Sequence, residues 1–232
     1  MNNLLSQLAL PVLLAGFLPL TAHAATCLVP SVNYPTIQSA VNDSGCTTIN
    51  VAAGLYVENV AIARSLTLNG AEAGEDAVSP RSGPESVING TGSANITITA
   101  DNVTVDGFTL LGPVNQGTAA IVMMGGNTGE KIQNNIVNNP GRSASFNTSN
   151  TTFFQNAVHN TATSGDGFQQ NSSIASNISI LNNSFDGATG NYNADVTILG
   201  IGSSNIVVAG NSSSTDSTLV ALFTTRNALI MN

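Results

Sequence analysis

The sequence predicts an all-β chain wound as a right-handed parallel β-helix, a solenoid, with an amphipathic helix capping its N-terminal end. Three observations lead there. First, an apolar–x–polar–Asn unit returns as Ile132-Gln133-Asn134-Asn135, Phe153-Phe154-Gln155-Asn156, Ile180-Leu181-Asn182-Asn183 and Val208-Ala209-Gly210-Asn211. One step earlier, Val105-Asp106-Gly107-Phe108 holds the same register with Phe in place of Asn. Positions 108, 135, 156, 183 and 211 are 27, 21, 27 and 28 residues apart, a period that belongs to stacked coils. Second, only 8% of the 232 residues are charged, against about a quarter in ordinary domains. Helix faces are usually solvated by Glu, Lys and Arg, so a surface built from Ser, Thr, Asn and Gly favours strands and turns. Third, two apolar columns run in the same direction along the chain: Val105, Ile132, Phe153, Ile180, Val208, and Leu110, Val137, Val158, Phe185. Hairpins would reverse the order of equivalent residues, so like stacks on like in parallel. These apolar residues also set the chain apart from disordered sequences of similar polarity.

Residues 1–24 read as an export signal. An apolar run from Leu8 to Leu20 precedes Thr21-Ala22-His23-Ala24, a small-x-small cleavage pattern, although Met1-Asn2-Asn3 carries no Lys or Arg. The run is short and Pro-interrupted, which does not suit a spanning helix, and no second span follows. The mature chain is expected to start at Ala25 and to form one domain, 25–232, with a cap at about 25–50. The expected destination is outside the cytoplasm: secreted, periplasmic or on the cell surface. Cys27 and Cys46 then admit two readings. One is a disulfide closing a loop of about 18 residues, worth roughly 3 kcal/mol. The other is a catalytic thiol, which lacks a Cys-His signature around either residue.

In the cap, Pro35-Thr36-Ile37-Gln38-Ser39-Ala40-Val41 places Pro near a helix start and puts Ile37, Ala40 and Val41 on one stripe, with Asn42-Asp43-Ser44-Gly45 ending it. Such a helix would cover the pairing edges of the first rung. Short alternating strands follow at Val57–Ile62, Ser65–Gly70, Val87–Gly90, Ile96–Ile98 and Val103–Val105. Between them, Ala71 to Glu85 is the one charge-dense stretch, with Glu72, Glu75, Asp76, Arg81 and Glu85, and reads as a solvated loop. From Val105 the repeat runs to the end. Asn at its repeated site suits a left-handed turn position, and its amide can bond the Asn above and below.

The stretches Tyr34-Pro35-Thr36-Ile37-Gln38-Ser39-Ala40-Val41, Ile49–Val60 and Ser65-Leu66-Thr67-Leu68-Asn69-Gly70 resemble the start of secreted right-handed β-helix proteins of the pectin-lyase-like superfamily. That resemblance spans the mature chain and implies the fold and the cap. The scaffold hosts many chemistries, so activity has to be read from the site. Pectin-methylesterase-like sites carry paired aspartates with an Arg and a Gln. Here Asp166 in Gly165-Asp166-Gly167-Phe168-Gln169-Gln170 matches part of that set, with no second Asp in pattern. Polygalacturonase-like sites need four motifs, of which only Asn193-Ala194-Asp195 is present. Lyase-like sites need clustered carboxylates for calcium and a cationic base; the repeat region holds Lys131, Arg142 and Arg226.

The candidate catalytic residues are His159, Asp166 and Asp195. His159 follows the second apolar column, points outward, and has an ordinary pKa suited to acid–base work; read otherwise, it is an exposed turn residue. Asp166 and Asp195 lie 29 residues apart, close to one coil, so their carboxylates could sit about 5 Å apart on adjacent rungs, useful for calcium or glycoside chemistry. Read otherwise, they are Asp in turns bonding the local backbone. Asp186, Gln169 and Arg142 are the candidate binding residues. No cofactor is required, with calcium left open.

Net charge of −8 with five basic residues excludes a phosphate-neutralising nucleic-acid surface, and the absence of Trp argues against a broad sugar-stacking platform. Thr97 and Thr104 begin rows that are not kept past Asn134, so no ice-binding face is expected. Two functions remain. One is binding or processing of an extended polysaccharide along a groove. The other is a non-catalytic surface or adhesive module, or a segment of one, self-associating or continuing through the apolar C-terminal end, Thr218–Phe223 and Leu229–Asn232.

Overall fold

A computed structural model describes residues 25–112, 118–138, 141–159, 166–171, 173–186, 194–214 and 218–231. The expected export signal, 1–24, lies outside them. After β1 (Ala25–Val29) and the helix α1 (Ile37–Asn42), the chain makes seven coils of three strands. They are β2 (Cys46–Val51), β3 (Gly54–Tyr56) and β4 (Val60–Ile62); β5 (Thr67–Asn69), β6 (Ser86–Asn89) and β7 (Ile96–Ile98); β8 (Thr104–Asp106), β9 (Phe108–Leu111) and β10 (Ala119–Met123); β11 (Lys131–Gln133), β12 (Ile136–Asn138) and β13 (Arg142–Phe146). Then come β14 (Thr152–Phe154), β15 (Ala157–His159) and β16 (Phe168–Gln170); β17 (Ser176–Leu181), β18 (Ser184–Asp186) and β19 (Val196–Ile198); β20 (Ser204–Ala209), β21 (Ser212–Ser214) and β22 (Val220–Leu222); and finally β23 (Arg226–Met231). The first strand of every coil, with β1 and β23, forms sheet I. The second strands form sheet II and the third strands sheet III. Every pairing among these strands is parallel. The chain is thus the parallel solenoid its spacing implies.

Both expected apolar columns line the interior: Val105, Ile132, Phe153, Ile180 and Val208 stack in sheet I, and Leu110, Val137, Val158 and Phe185 in sheet II, all buried. Strands this short keep one or two side chains inward by the two-residue alternation. Sheet III adds a third column, Ile96, Ile121, Ala144, Phe168 and Val196. The three columns meet in a run of rings: Phe146–Phe153, Phe153–Phe168 and Phe168–Phe185, with centroids 5.1, 4.3 and 5.1 Å apart.

The sheet I–II corner is the tightest turn. Asn135, Asn156, Asn183 and Asn211 stack there, buried. Each backbone N–H of the lower three donates to the next side-chain oxygen: Asn135 to Asn156 at 3.0 Å, Asn156 to Asn183 at 2.9 Å, Asn183 to Asn211 at 2.8 Å. Their Nδ2 groups donate to the same oxygens and to strand carbonyls such as Ile132 O and Phe153 O. One expectation is corrected. The left-handed position is taken by the preceding residue: Gly107, Asn134, Gln155, Asn182 and Gly210, with φ of 75, 53, 52, 53 and 63°. The ladder Asn follows that turn and caps the amides it would otherwise leave unpaired.

The N-terminal end is sealed by α1. Thr36 and Ser39 form a capping box, and Ile37, Ala40 and Val41 are buried. Glu58 accepts from the N–H groups of Ile37 and Gln38 at 2.9 and 3.0 Å, while Arg64 donates to the carbonyls of Val41 and Asp43 at the other end. The Gln38 side chain donates to Ala61 O and accepts from Ala61 N, so it pairs with edge strand β4 as a neighbouring strand would. Cys27 and Cys46 are joined as a disulfide, tying β1 to β2, and there is no free thiol among the described residues. At the other end β23 is the outer strand of sheet I, and all six of its residues are exposed.

Glu130 stands inside the stack with no exposed surface. Its Oε2 accepts from Thr151 Oγ1, and Oε1 is buried without a hydrogen-bond partner. Burial pushes its carboxyl above the ordinary value of 4.5. The folded chain therefore keeps a proton that the unfolded chain has already released, and stability falls as pH rises from about 4.5 toward the raised value. Glu130→Gln is expected to flatten the fall in melting temperature between acid and neutral pH. An unchanged slope in the variant would show that this carboxyl does not set it.

Candidate functional site

The sheet II–III corner gathers the candidate residues. They come from the ends of sheet II strands and the starts of sheet III strands: Arg142 on the fourth coil, His159 and Asp166 on the fifth, Asp186 and Asp195 on the sixth. In β15 and β18 the inward partners Val158 and Phe185 fix the parity, so the next pair, His159 and Asp186, is outward. Parallel stacking brings them together: His159 Nδ1 lies 2.8 Å from Asp186 Oδ2, with both side chains about half exposed. With the hydrogen on Nδ1 directed at the carboxylate, Nε2 is left as the proton acceptor. His159, which has no charged neighbour along the chain, thus has a partner one coil above it.

Arg142 and Asp166 form a second pair, Nε to Oδ2 3.6 Å, both mostly buried. Asp166 Oδ1 accepts from the N–H of Ala194, and the carbonyls of Asp166 and Gly167 accept from Ser143 N. The expected meeting of Asp166 with Asp195 is offset by one residue. Asp166 faces Ala194, and Asp195 is 1% exposed, with its carbonyl accepting from Phe168 N. No group of three metal-ligating side chains occurs among the described residues. Gln169 pairs in register with Ser145 and Thr197 on the outward side of sheet III. Its Oε1 and the Ser143 hydroxyl are buried without hydrogen-bond partners.

Two features escaped the sequence. The first is Arg81, expected in a solvated loop. Its side chain is 4% exposed, pairs with Glu85 at 3.0 Å and donates to Asn134 O, while Ala77 N donates to Gln155 O. The loop is folded down over the sheet I–II corner, and its closeness requires glycine at 107, where an added Cβ would sit 2.1 Å from Ala73 N. The second is an outer asparagine ladder. Asn150, Asn177, Asn205 and Asn227 all have φ between 52 and 59°, and their side chains link Asn177 to Asn150 at 2.8 Å, Asn205 to Asn177 at 2.9 Å and Asn227 to Asn205 at 3.2 Å. Two residues on lies a hydroxyl file, Thr48, Thr67, Thr104, then Thr152 and Ser179, interrupted by Lys131 and ended by Val207 and Leu229. Past Asn134 the row holds Thr152 and Ser179 and then gives way to Val207 and Leu229, so no regular threonine row is maintained. Its members are 19 to 48 residues apart in the chain, which hid it.

No family model matches the chain, and no curated protein does. Among solved structures, a pectin methylesterase from Aspergillus niger is similar over 89% of this chain and 85% of its own, with 14% identity and a TM-score of 0.46.

Proposed function

We propose that the exported chain binds and processes an extended polysaccharide across the sheet II–III corner. His159 is the acid–base group, oriented by Asp186. Arg142 and Gln169 are ligand contacts, and Asp166 and Asp195 are the flanking carboxylates. The observation that carries this reading is the half-exposed His159–Asp186 pair, which is built from two coils by the stacking of β15 on β18. The disulfide fits an oxidising compartment, and no helix among the described residues is long and apolar enough to cross a membrane.

The test is incubation of the chain from Ala25 with a polysaccharide panel, with and without calcium. Retention, new reducing ends, unsaturated products and released methanol are the readouts. His159→Ala is expected to lower product formation by about 100-fold or more while retention persists. Neither product nor retention on any polymer would remove the reading. A second reading, a surface module without catalysis, is favoured by the exposed strand β23, with its half-exposed Leu229, Ile230 and Met231, and by the half-exposed Phe223 that precedes it. Retention without product in the parent chain would select it.

A further inference from the structure

We propose that the polymer taken at the sheet II–III corner is uncharged. The proposal rests on the preceding reading and names the charge class of its ligand. It follows from where the five basic side chains stand. Arg64 donates to carbonyls at the end of α1, and Arg81 pairs with Glu85. Lys131 is exposed on sheet I, and Arg226 opens β23. Only Arg142 belongs to the corner, and Asp166 Oδ2 lies 3.6 Å from its Nε, with both side chains mostly buried. From Ser143 to Thr225 the sequence holds no Lys or Arg, so coils five to seven bring neither.

Sheet III, which borders the corner, is almost bare of charge. Among the described residues of its seven strands, Arg142 is the one that is charged. Its outward file reads Thr97, Val122, Ser145, Gln169, Thr197 and Ala221. A polyuronate carries a carboxylate on every unit. Laid here, against a chain of net charge −8, it would meet one cation that is already paired, so like-charge repulsion goes uncompensated. A cationic polymer finds no better match: Asp166 is paired with Arg142, Asp186 with His159, and Asp195 is 1% exposed. The polar atoms point the same way. Gln169 Oε1 and Ser143 Oγ are buried without hydrogen-bond partners. Gln169 Oε1 can only accept, and a carboxylate has no hydrogen to give, whereas a sugar hydroxyl both donates and accepts.

The test is affinity electrophoresis of the chain from Ala25, in EDTA and in calcium. The gels contain mixed-linkage glucan, galactomannan, fully methyl-esterified polygalacturonate, polygalacturonate or chitosan. At least one of the three uncharged polymers is expected to retard the chain, and which one does so identifies the source. Raising salt from about 0.01 to about 1 M is expected to change that retardation less than about twofold, since screening acts on charge pairs. Gln169→Ala is expected to weaken it about tenfold. Asp166→Asn leaves Arg142 unpaired and keeps an acceptor for Ala194 N. It is expected to raise affinity for polygalacturonate about tenfold. Melting temperatures show which variants keep the fold, and the polymer panel and salt series need neither variant. Stronger retardation by polygalacturonate or chitosan than by every uncharged polymer, with or without calcium, overturns the proposal and leaves the preceding reading standing. Equal retardation of the parent and a folded Gln169→Ala by an uncharged polymer also overturns it, because the polymer then binds elsewhere. A folded Asp166→Asn that gains nothing on polygalacturonate does the same. No retardation by any polymer removes both readings.

Discussion

Asn183→Leu is expected to lower the free energy of unfolding by about 4 kcal/mol, since two buried donors lose their acceptor at about 1–3 kcal/mol each. Those donors are Asn156 N and Asn156 Nδ2, both 2.9 Å from Asn183 Oδ1. Leucine fills the volume but accepts nothing. The Asn183 amide also holds Phe153 O, Leu181 O and Asn211 Oδ1, so the substitution cuts the ladder in both directions. The outer ladder supplies the comparison. Asn177→Ala removes two similar amide–amide bonds, to Asn150 and from Asn205, at an exposed position, where water replaces the partners. Its expected cost, about 1–2 kcal/mol, comes mainly from placing Ala at φ 59°. Urea denaturation of both variants reads the difference; equal losses would mean that burial does not set the strength of the ladder.

Phe153→Ala is expected to cost about 4 kcal/mol, the range for emptying a buried aromatic site. Phe153 has no exposed surface and lies between Phe146 and Phe168, stacked on the latter at 4.3 Å. Its neighbours cannot close the space, because each is fixed to its own coil by backbone pairing. Phe154, the next residue, points the other way and is partly exposed, so Phe154→Ala should cost less than about 1 kcal/mol. A melting curve for Phe153→Ala that matches that of Phe154→Ala would mean the inward and outward assignment of β14 is wrong.

The fold was legible because its two signals are local and repeated. Apolar residues such as Ile132, Phe153 and Ile180 recur with their asparagines two or three residues away, and a parallel stack turns chain period directly into vertical contact. The conformation of the ladder was half legible. That Asn135 bonds Asn156 follows from the spacing, but which of two adjacent residues takes the left-handed turn depends on backbone geometry, and Asn134 and Asn135 are the same residue type. The site was less legible still. His159 and Asp186 are 27 residues apart, and only the registration of β15 on β18 turns that separation into a hydrogen bond. Asp166 and Asp195, by the same coarse count, missed by one residue.

By itself the sequence determined the winding: coil period, parallel direction and two of the inward columns, carried by residue types that repeat at short range. The tertiary structure alone decided which polar side chains share a surface. Turns between strands vary from coil to coil, with three residues between β12 and β13 but eight between β15 and β16. Each insertion shifts the chain count without shifting the rung. A side chain's neighbours above and below are therefore set by hydrogen-bonded register, which residue spacing does not encode.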